Sequence, residues 1–263
     1  MTVWLFVLAM PTALAQISVP KDAPSSPSAS NSQPAHSPIQ INRRVIVIDP
    51  AHGGIDSGSQ ISDTTVEKDV TLALAFRLRA LLTVRGFTVV MTRDADTPAE
   101  PDATGSALTL DGRADIANHT HAAACLLLHA TGSGNGVHLY SSQLDATAGE
   151  PSMVPWLTAQ AAWVPQSQLL KKQFAAALTR AEIPLVASNA SVRPMDSLTC
   201  PALVIELAPK GDDADSINDT DYQQRVALAI AGSLLFWQNQ VQPPARISAE
   251  SYATPAASAG AQP

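Results

Sequence analysis

Two histidines and two glutamates sit where a fold could gather them for chemistry. His52 lies in the turn Asp49-Pro50-Ala51-His52-Gly53-Gly54, directly after the apolar run RVIVID at residues 44–49. Glu67 opens a long helical pattern that begins just beyond that turn. His129 ends the run CLLLH, and Glu206 comes near the end of PALVIEL. Two imidazoles and one carboxylate form a donor set suited to zinc, with a fourth position left for water. A second carboxylate that does not bind the metal can then act as general base.

Each residue also has a plain structural reading. A Gly-Gly pair after proline marks a turn, whatever histidine stands beside it. Glu67 is the kind of first-turn acid that a helix dipole favours. His129 can be a hydrogen-bonded core histidine. Glu206 resists so simple an account, because a carboxylate behind ALVI is costly to bury without a partner. That partner should carry positive charge, and the four positions together favour the metal reading.

The surrounding pattern supplies the elements that would position these residues. Strands are expected at residues 44–49, 87–92, 125–129, 137–141 and 201–207, with one or two more within 185–194. Helices are expected at 67–84, where Thr64 or Thr65 can act as N-cap, at 110–121, within 155–181, and at 221–239. Such alternation predicts an α/β fold: a single domain with a mostly parallel, twisted sheet of about six strands and helices on both faces. Ligands of such sheets bind beyond the carboxyl ends of the strands. All four candidates fall at those ends or at the start of the helix that follows.

Beyond this domain, assigned to residues 41–240, the chain changes character. Residues 1–15, MTVWLFVLAMPTALA, carry an apolar run and a small-residue site fitting a signal peptide, although no Lys or Arg precedes the run. Residues 16–40 are rich in Pro and Ser, and residues 241–263 are similar, so both are expected to be disordered. Export to the periplasm or cell envelope follows from this reading. Export would permit a disulfide between Cys125 and Cys200, yet two separate buried thiols are the simpler expectation. The net charge of −7 and the lack of a Lys/Arg cluster exclude the footprint of a nucleic-acid binder.

The motifs also carry a resemblance. VIVIDPAHGGIDSGS is similar to the opening signature IVIDPGHGGxDxGA of the zinc-dependent N-acetylmuramoyl-L-alanine amidases. That family's first zinc-binding histidine falls on His52. Its glutamate ligand, in an EKD-x-x-L context, falls on Glu67 within VEKDVTLALA. MTR followed by Asp, then L-x-x-R-x-x-x-AN, are matched by MTRD and by LDGRADIAN. A strand-end HAN, here HAT, puts the third ligand at His129, and P-A-x-L-x-E puts the catalytic glutamate at Glu206.

The resemblance runs from residue 44 to about residue 239 with its motifs in order. It implies Zn2+ as cofactor, peptidoglycan as substrate, and cleavage between N-acetylmuramic acid and L-alanine of the stem peptide. A zinc peptidase or carbohydrate deacetylase with the same ligands, or a non-catalytic peptidoglycan-binding module, stand as alternatives. An activator protein and the oligomeric state are left open.

Ala51 replaces the family's glycine and, with its Cβ, does not easily take positive φ. Thr131 replaces the usual asparagine, and LAPKGDD follows Glu206. Arg93 and Arg113 are expected in structural ion pairs. Asp49 is read as stabilising its own turn, the alternative being a hydrogen bond to a ligand histidine. His119, His121 and His138 carry no motif. His138, alternating with Val137 and Leu139, is expected on the opposite strand face from them.

Overall fold

Val45 to Ile48 are all buried, so this strand must be covered on both faces, and the whole architecture follows from that demand. The computed structural model describes residues 40–96, 108–146 and 155–242. The segment 1–15, the linker up to residue 39, and the tail from residue 243 lie outside the described residues. In chain order the strands are β1 (Asn42–Pro50), β2 (Thr88–Met91), β3 (Ala122–Ala130), β4 (Val137–Ser142), β5 (Leu185–Ala190) and β6 (Ala202–Leu207). The α-helices are α1 (Glu67–Thr83), α2 (Leu110–Asn118), α3 (Val164–Arg180) and α4 (Thr220–Trp237). Among the described residues, no helix is long and apolar enough to cross a membrane.

The six strands form one sheet in the order β2-β1-β3-β6-β4-β5. β2, β1, β3 and β6 run parallel, as the βα alternation requires. β4 runs antiparallel to β6, and β5 runs parallel to β4, so the last two strands point the other way. The cause is the short loop TGSGNG at residues 131–136. It reaches over one intervening strand, roughly 10 Å at two strand spacings. It is too short to return the chain for a parallel partner, which takes a dozen or more residues.

Alternate residues of each strand feed two different layers. On one face Ile46, Ile48, Leu126, Leu128, Leu203 and Ile205 pack against α1, α3 and α4 through residues such as Leu78, Phe174 and Ile230. On the other face Val47, Leu127 and Val204 meet Ala114 and Ala117 of α2, with Met195 and Leu198. Small alanines on α2 make this second layer thin.

Two local expectations need correction. Neither Thr64 nor Thr65 caps α1: Val66 holds the N-cap position and makes no side-chain cap bond. The first free amides of α1 instead reach backbone carbonyls, Glu67 N to Ser59 O at 2.9 Å and Lys68 N to Ser57 O at 3.1 Å. Thr65 is buried and accepts a hydrogen bond from Asn218 Nδ2 at 2.7 Å. Nor are the cysteines separate, because Cys125 and Cys200 form a disulfide with Cα atoms 6.1 Å apart. Adjacency of β3 and β6 brings them together across 75 residues of sequence.

A cross-link closing so long a loop restricts the unfolded chain. Replacing both cysteines by serine should therefore lower unfolding free energy by about 2–4 kcal/mol. Urea denaturation with and without reductant checks this, and a midpoint insensitive to reductant would contradict it.

Candidate metal centre

The chain leaves β1 in a conformation that an ordinary side chain rarely accepts. His52 has φ +63°, and Gly53 and Gly54 follow at +126° and +61°. Ala51 stays out of the left-handed region: its N–H bonds Leu128 O at 3.0 Å and extends the ladder. The expected difficulty at Ala51 thus passes to His52, where left-handed backbone costs about 1–2 kcal/mol.

Two buried guanidinium groups offset that cost. Arg113 donates to Asp49 Oδ1 at 2.6 Å, Pro50 O at 2.8 Å and His52 O at 2.6 Å. Arg93 donates to Pro50 O at 2.9 Å, Ala51 O at 3.0 Å and Lys68 O at 2.8 Å. Three successive carbonyls of the turn are therefore fixed. Hydrogen bonds from charged donors are worth about 1.5–3 kcal/mol each, enough to hold the strained residue. Gly53 is needed for the same reason, since a Cβ there would stand 2.9 Å from Arg93 Cδ.

The expected ion pair forms at Arg113, whereas Arg93 grips carbonyls. Burial, together with the charge of Arg113, lowers the pKa of Arg93 to about 10, and it stays charged at neutral pH. Asp49 accepts from Thr92 and Arg113 and makes no bond to His52 or His129.

With its backbone pinned, His52 meets Glu67 and His129. His52 Nε2 lies 3.1 Å from Glu67 Oε2, and His129 Nδ1 lies 2.9 Å from Glu67 Oε1. Glu67 is only 4% exposed. Its oxygens also accept backbone N–H bonds from Ser59 at 3.0 Å and Ala130 at 3.2 Å. Burial raises its pKa, but the hydrogen bonds from His129, His52 and Ser59 outweigh it and hold the carboxyl far below the usual range. The hydrogen bond to Glu67 raises the pKa of His52; burial opposes this and Asp56 adds to it.

These three residues form a group able to hold a metal ion, with one donor atom from each lying within 4.8 Å of the others. The chemistry of the set fits zinc. Asp56 Oδ2 contacts His52 Nδ1 at 2.8 Å, so Nδ1 can keep its proton while Nε2, on the Glu67 side, is the nitrogen that would give up its proton to bind a cation. The carboxylate is ionised, and both imidazoles aim a nitrogen at the same spot. Gly58 leaves the room: with φ +67°, a Cβ would come 2.6 Å from His52 Cδ2 and 2.8 Å from Glu67 Cβ. The hydroxyl of Thr131 lies 3.2 Å from that of Ser133.

Glu206 stands beside this group. His129 and Glu206 are register partners on the adjacent parallel strands β3 and β6. Their side chains therefore leave the same face about 4.8 Å apart. The partner demanded for Glu206 turns out to be a protein residue: His138 Nδ1 is 2.6 Å from Glu206 Oε2. Tyr140 Oη donates to the same oxygen at 3.3 Å. Burial and the negative Glu206 push the pKa of Tyr140 up, so its hydroxyl keeps the proton it donates.

His138 does face away from Val137 and Leu139, as alternation requires, but that face is the chemical one. Of the side chains around the four candidates, Asp56, His138 and Tyr140 had gone unassigned. Asp56 sits inside the quoted signature, and the spacing of His138 and Tyr140 put them on one face. A recess of about 470 Å³ lies elsewhere, between α3 and α4, lined by Gln173, Ala176, Arg180, Ser233, Phe236 and Gln240. It contains none of the candidate residues, which line the strand-end rim.

Known proteins share parts of this sequence and its fold. A family model described as N-acetylmuramoyl-L-alanine amidase matches residues 46–235. The germination-specific N-acetylmuramoyl-L-alanine amidase of Bacillus subtilis (strain 168) is 36% identical over 96 residues, 35% of this chain and 40% of that protein. The N-acetylmuramoyl-L-alanine amidase AmiA of Escherichia coli (strain K12) is 36% identical over 93 residues, 35% of this chain and 29% of that one. This chain thus matches less than half the length of both. The catalytic domain of CwlV, an N-acetylmuramoyl-L-alanine amidase from Bacillus (Paenibacillus) polymyxa var. colistinus, aligns at TM-score 0.54 and 25% identity. That alignment covers 76% of this chain and 99% of that domain.

Two measurements probe the centre directly. Gly58→Ala should weaken zinc binding at least about tenfold in a competition titration, because its methyl group displaces His52 and Glu67. Unchanged affinity would contradict the geometry. Zinc uptake also has to remove the proton that His52 holds above its ordinary 6.5. Affinity should fall as pH drops through that range, and calorimetry in two buffers should register proton release.

Proposed function

The chain belongs to the N-acetylmuramoyl-L-alanine amidase family, and from that premise we propose that it hydrolyses peptidoglycan at the amide between N-acetylmuramic acid and L-alanine of the stem peptide. The observation that carries this reading is the convergence of His52, Glu67 and His129 on one spot, with Glu206 on the neighbouring strand. Held by His52, Glu67 and His129, zinc would lower the pKa of a water toward ~7 and polarise the scissile carbonyl.

The protein's own groups account for the protons. Glu206 accepts one from the attacking water as the new carbon–oxygen bond forms. It returns that proton to the departing nitrogen as the carbon–nitrogen bond breaks, which leaves a lactyl carboxylic acid and a free amine; the acid then passes the water's second proton to the amine or to solvent and becomes a carboxylate. Asp56 and the Arg93–Arg113 pair act earlier, keeping His52 in its orientation.

With a net charge of −7, the overall field gives no attraction to an anionic wall polymer, so binding rests on local contacts. Export to the cell envelope is part of this reading. The apolar segment at residues 1–15 and the Cys125–Cys200 disulfide support it, because such bonds persist in oxidising compartments.

Digestion of purified peptidoglycan with and without chelator, followed by mass spectrometry, separates the possibilities. Free stem peptides beginning with L-alanine, absent under chelation, are expected. Free acetate would identify a deacetylase instead. Truncated peptides still on the sugar would identify a peptidase, and retention without products a binding module. Glu206→Gln should lower kcat by about 10²–10⁴-fold while one zinc per chain is retained. Full activity in that variant would remove Glu206 from its role.

A further inference from the structure

The antiparallel turn of β4 brings its first residues to the rim where β6 ends. His138 and Glu206 are directly opposed in the β4–β6 register, and Tyr140 lies opposite Val204, one pleat further along. His138 Nδ1, at 2.6 Å, and Tyr140 Oη, at 3.3 Å, both bond Glu206 Oε2. Among the described residues no protein donor bonds Oε1. One carboxylate oxygen is thus anchored and the other left for chemistry.

The histidine is itself held. Its side chain is 14% exposed, and Gly134, with φ +89°, brings backbone against the outer edge of the ring. A Cβ at Gly134 would lie 2.6 Å from His138 Cε1 and 2.8 Å from Nε2. The imidazole is therefore wedged between the β3–β4 loop and the carboxylate. Its edge orientation to Tyr140, with centroids 6.5 Å apart, sets the two donors at an angle to each other.

We infer that His138, assisted by Tyr140, is a positioning residue that fixes the Glu206 carboxylate with Oε1 turned toward the reacting water. The inference rests on the proposed hydrolase reading. A glutamate side chain has several rotatable bonds, and an unanchored carboxylate would spread over several rotamers. A short hydrogen bond to a charged acceptor restricts that spread. A displacement of about 1 Å in a reacting group can cost ~10²-fold in rate.

The test compares His138→Leu, which loses the donor, with His138→Asn, whose amide nitrogen can take the place of Nδ1. In peptidoglycan hydrolysis, His138→Leu should lower kcat about 10- to 100-fold, with KM little changed and one zinc per chain retained. His138→Asn should recover most of that loss, and Tyr140→Phe should have a smaller effect in the same direction. Unchanged kcat in His138→Leu, loss of zinc, or failure of asparagine to rescue would each overturn the inference. If the wild-type protein releases no stem peptides in the same assay, the hydrolase reading has failed instead.

One readout needs no turnover. Nitrogen-15 NMR of the folded wild-type protein should show a downfield, exchange-protected His138 Nδ1 proton that moves upfield in Glu206→Gln. An Nδ1 signal indifferent to that substitution would also overturn the inference.

Discussion

A carboxylate buried at the start of α1 has to be compensated, and the centre is built around the way this happens at Glu67. Desolvation alone would protonate such a group. Two imidazoles and two backbone amides hold it ionised instead. Because each oxygen is committed to a different partner, Glu67 fixes the distance between the loop after β1 and the end of β3. Those two segments lie on adjacent strands but 77 residues apart in the chain, counting from His52 to His129. Stability of the rim and readiness for a cation thus come from the same interaction.

That arrangement depends in turn on a strained turn. A histidine with φ +63° would relax if its neighbours allowed it. Arg93 and Arg113 do not, since between them they bind the carbonyls of residues 50, 51 and 52. Burying two guanidinium groups is costly, and the depressed pKa of Arg93 is the sign of it. Pro50 O accepts from both arginines and Ala51 O also accepts from Thr71 Oγ1 at 3.0 Å, whereas His52 O depends on Arg113, so loss of Arg113 would free the carbonyl of the strained residue itself. The strain sits where the chemistry is, held in place by a rigid sheet and the N-terminus of α1.

The mixed direction of the sheet has a functional consequence. In a fully parallel sheet, only strand ends would supply side chains to this rim. Reversal of β4 lets the start of a strand contribute, and His138 and Tyr140 reach Glu206 by that route. The disulfide lies on the same face as these side chains, within the thin layer covered by α2. It ties β3, which carries His129, to the segment leading into β6, which carries Glu206. The two strands that present the centre are therefore joined covalently as well as by their ladder.

Sequence by itself determined the elements, because burial on one or both faces imposes a period that short-range chemistry obeys. The strand ending at Pro50, the helix opening at Glu67 and the strand carrying Glu206 were all readable as apolar runs. So was the placement of His52, Glu67, His129 and Glu206 at strand ends or the helix start that follows. Only the tertiary structure decided what depends on strand order and direction. Nothing in the run VHLYSS says that β4 turns back, or that β6 inserts between β3 and β4. The opposition of His138 to Glu206, the meeting of Cys125 with Cys200 and the positive φ of His52, held by Arg93 and Arg113, all follow from long-range contacts. A linear pattern records which face a residue occupies, but its neighbour across a sheet is chosen by chain closure and packing.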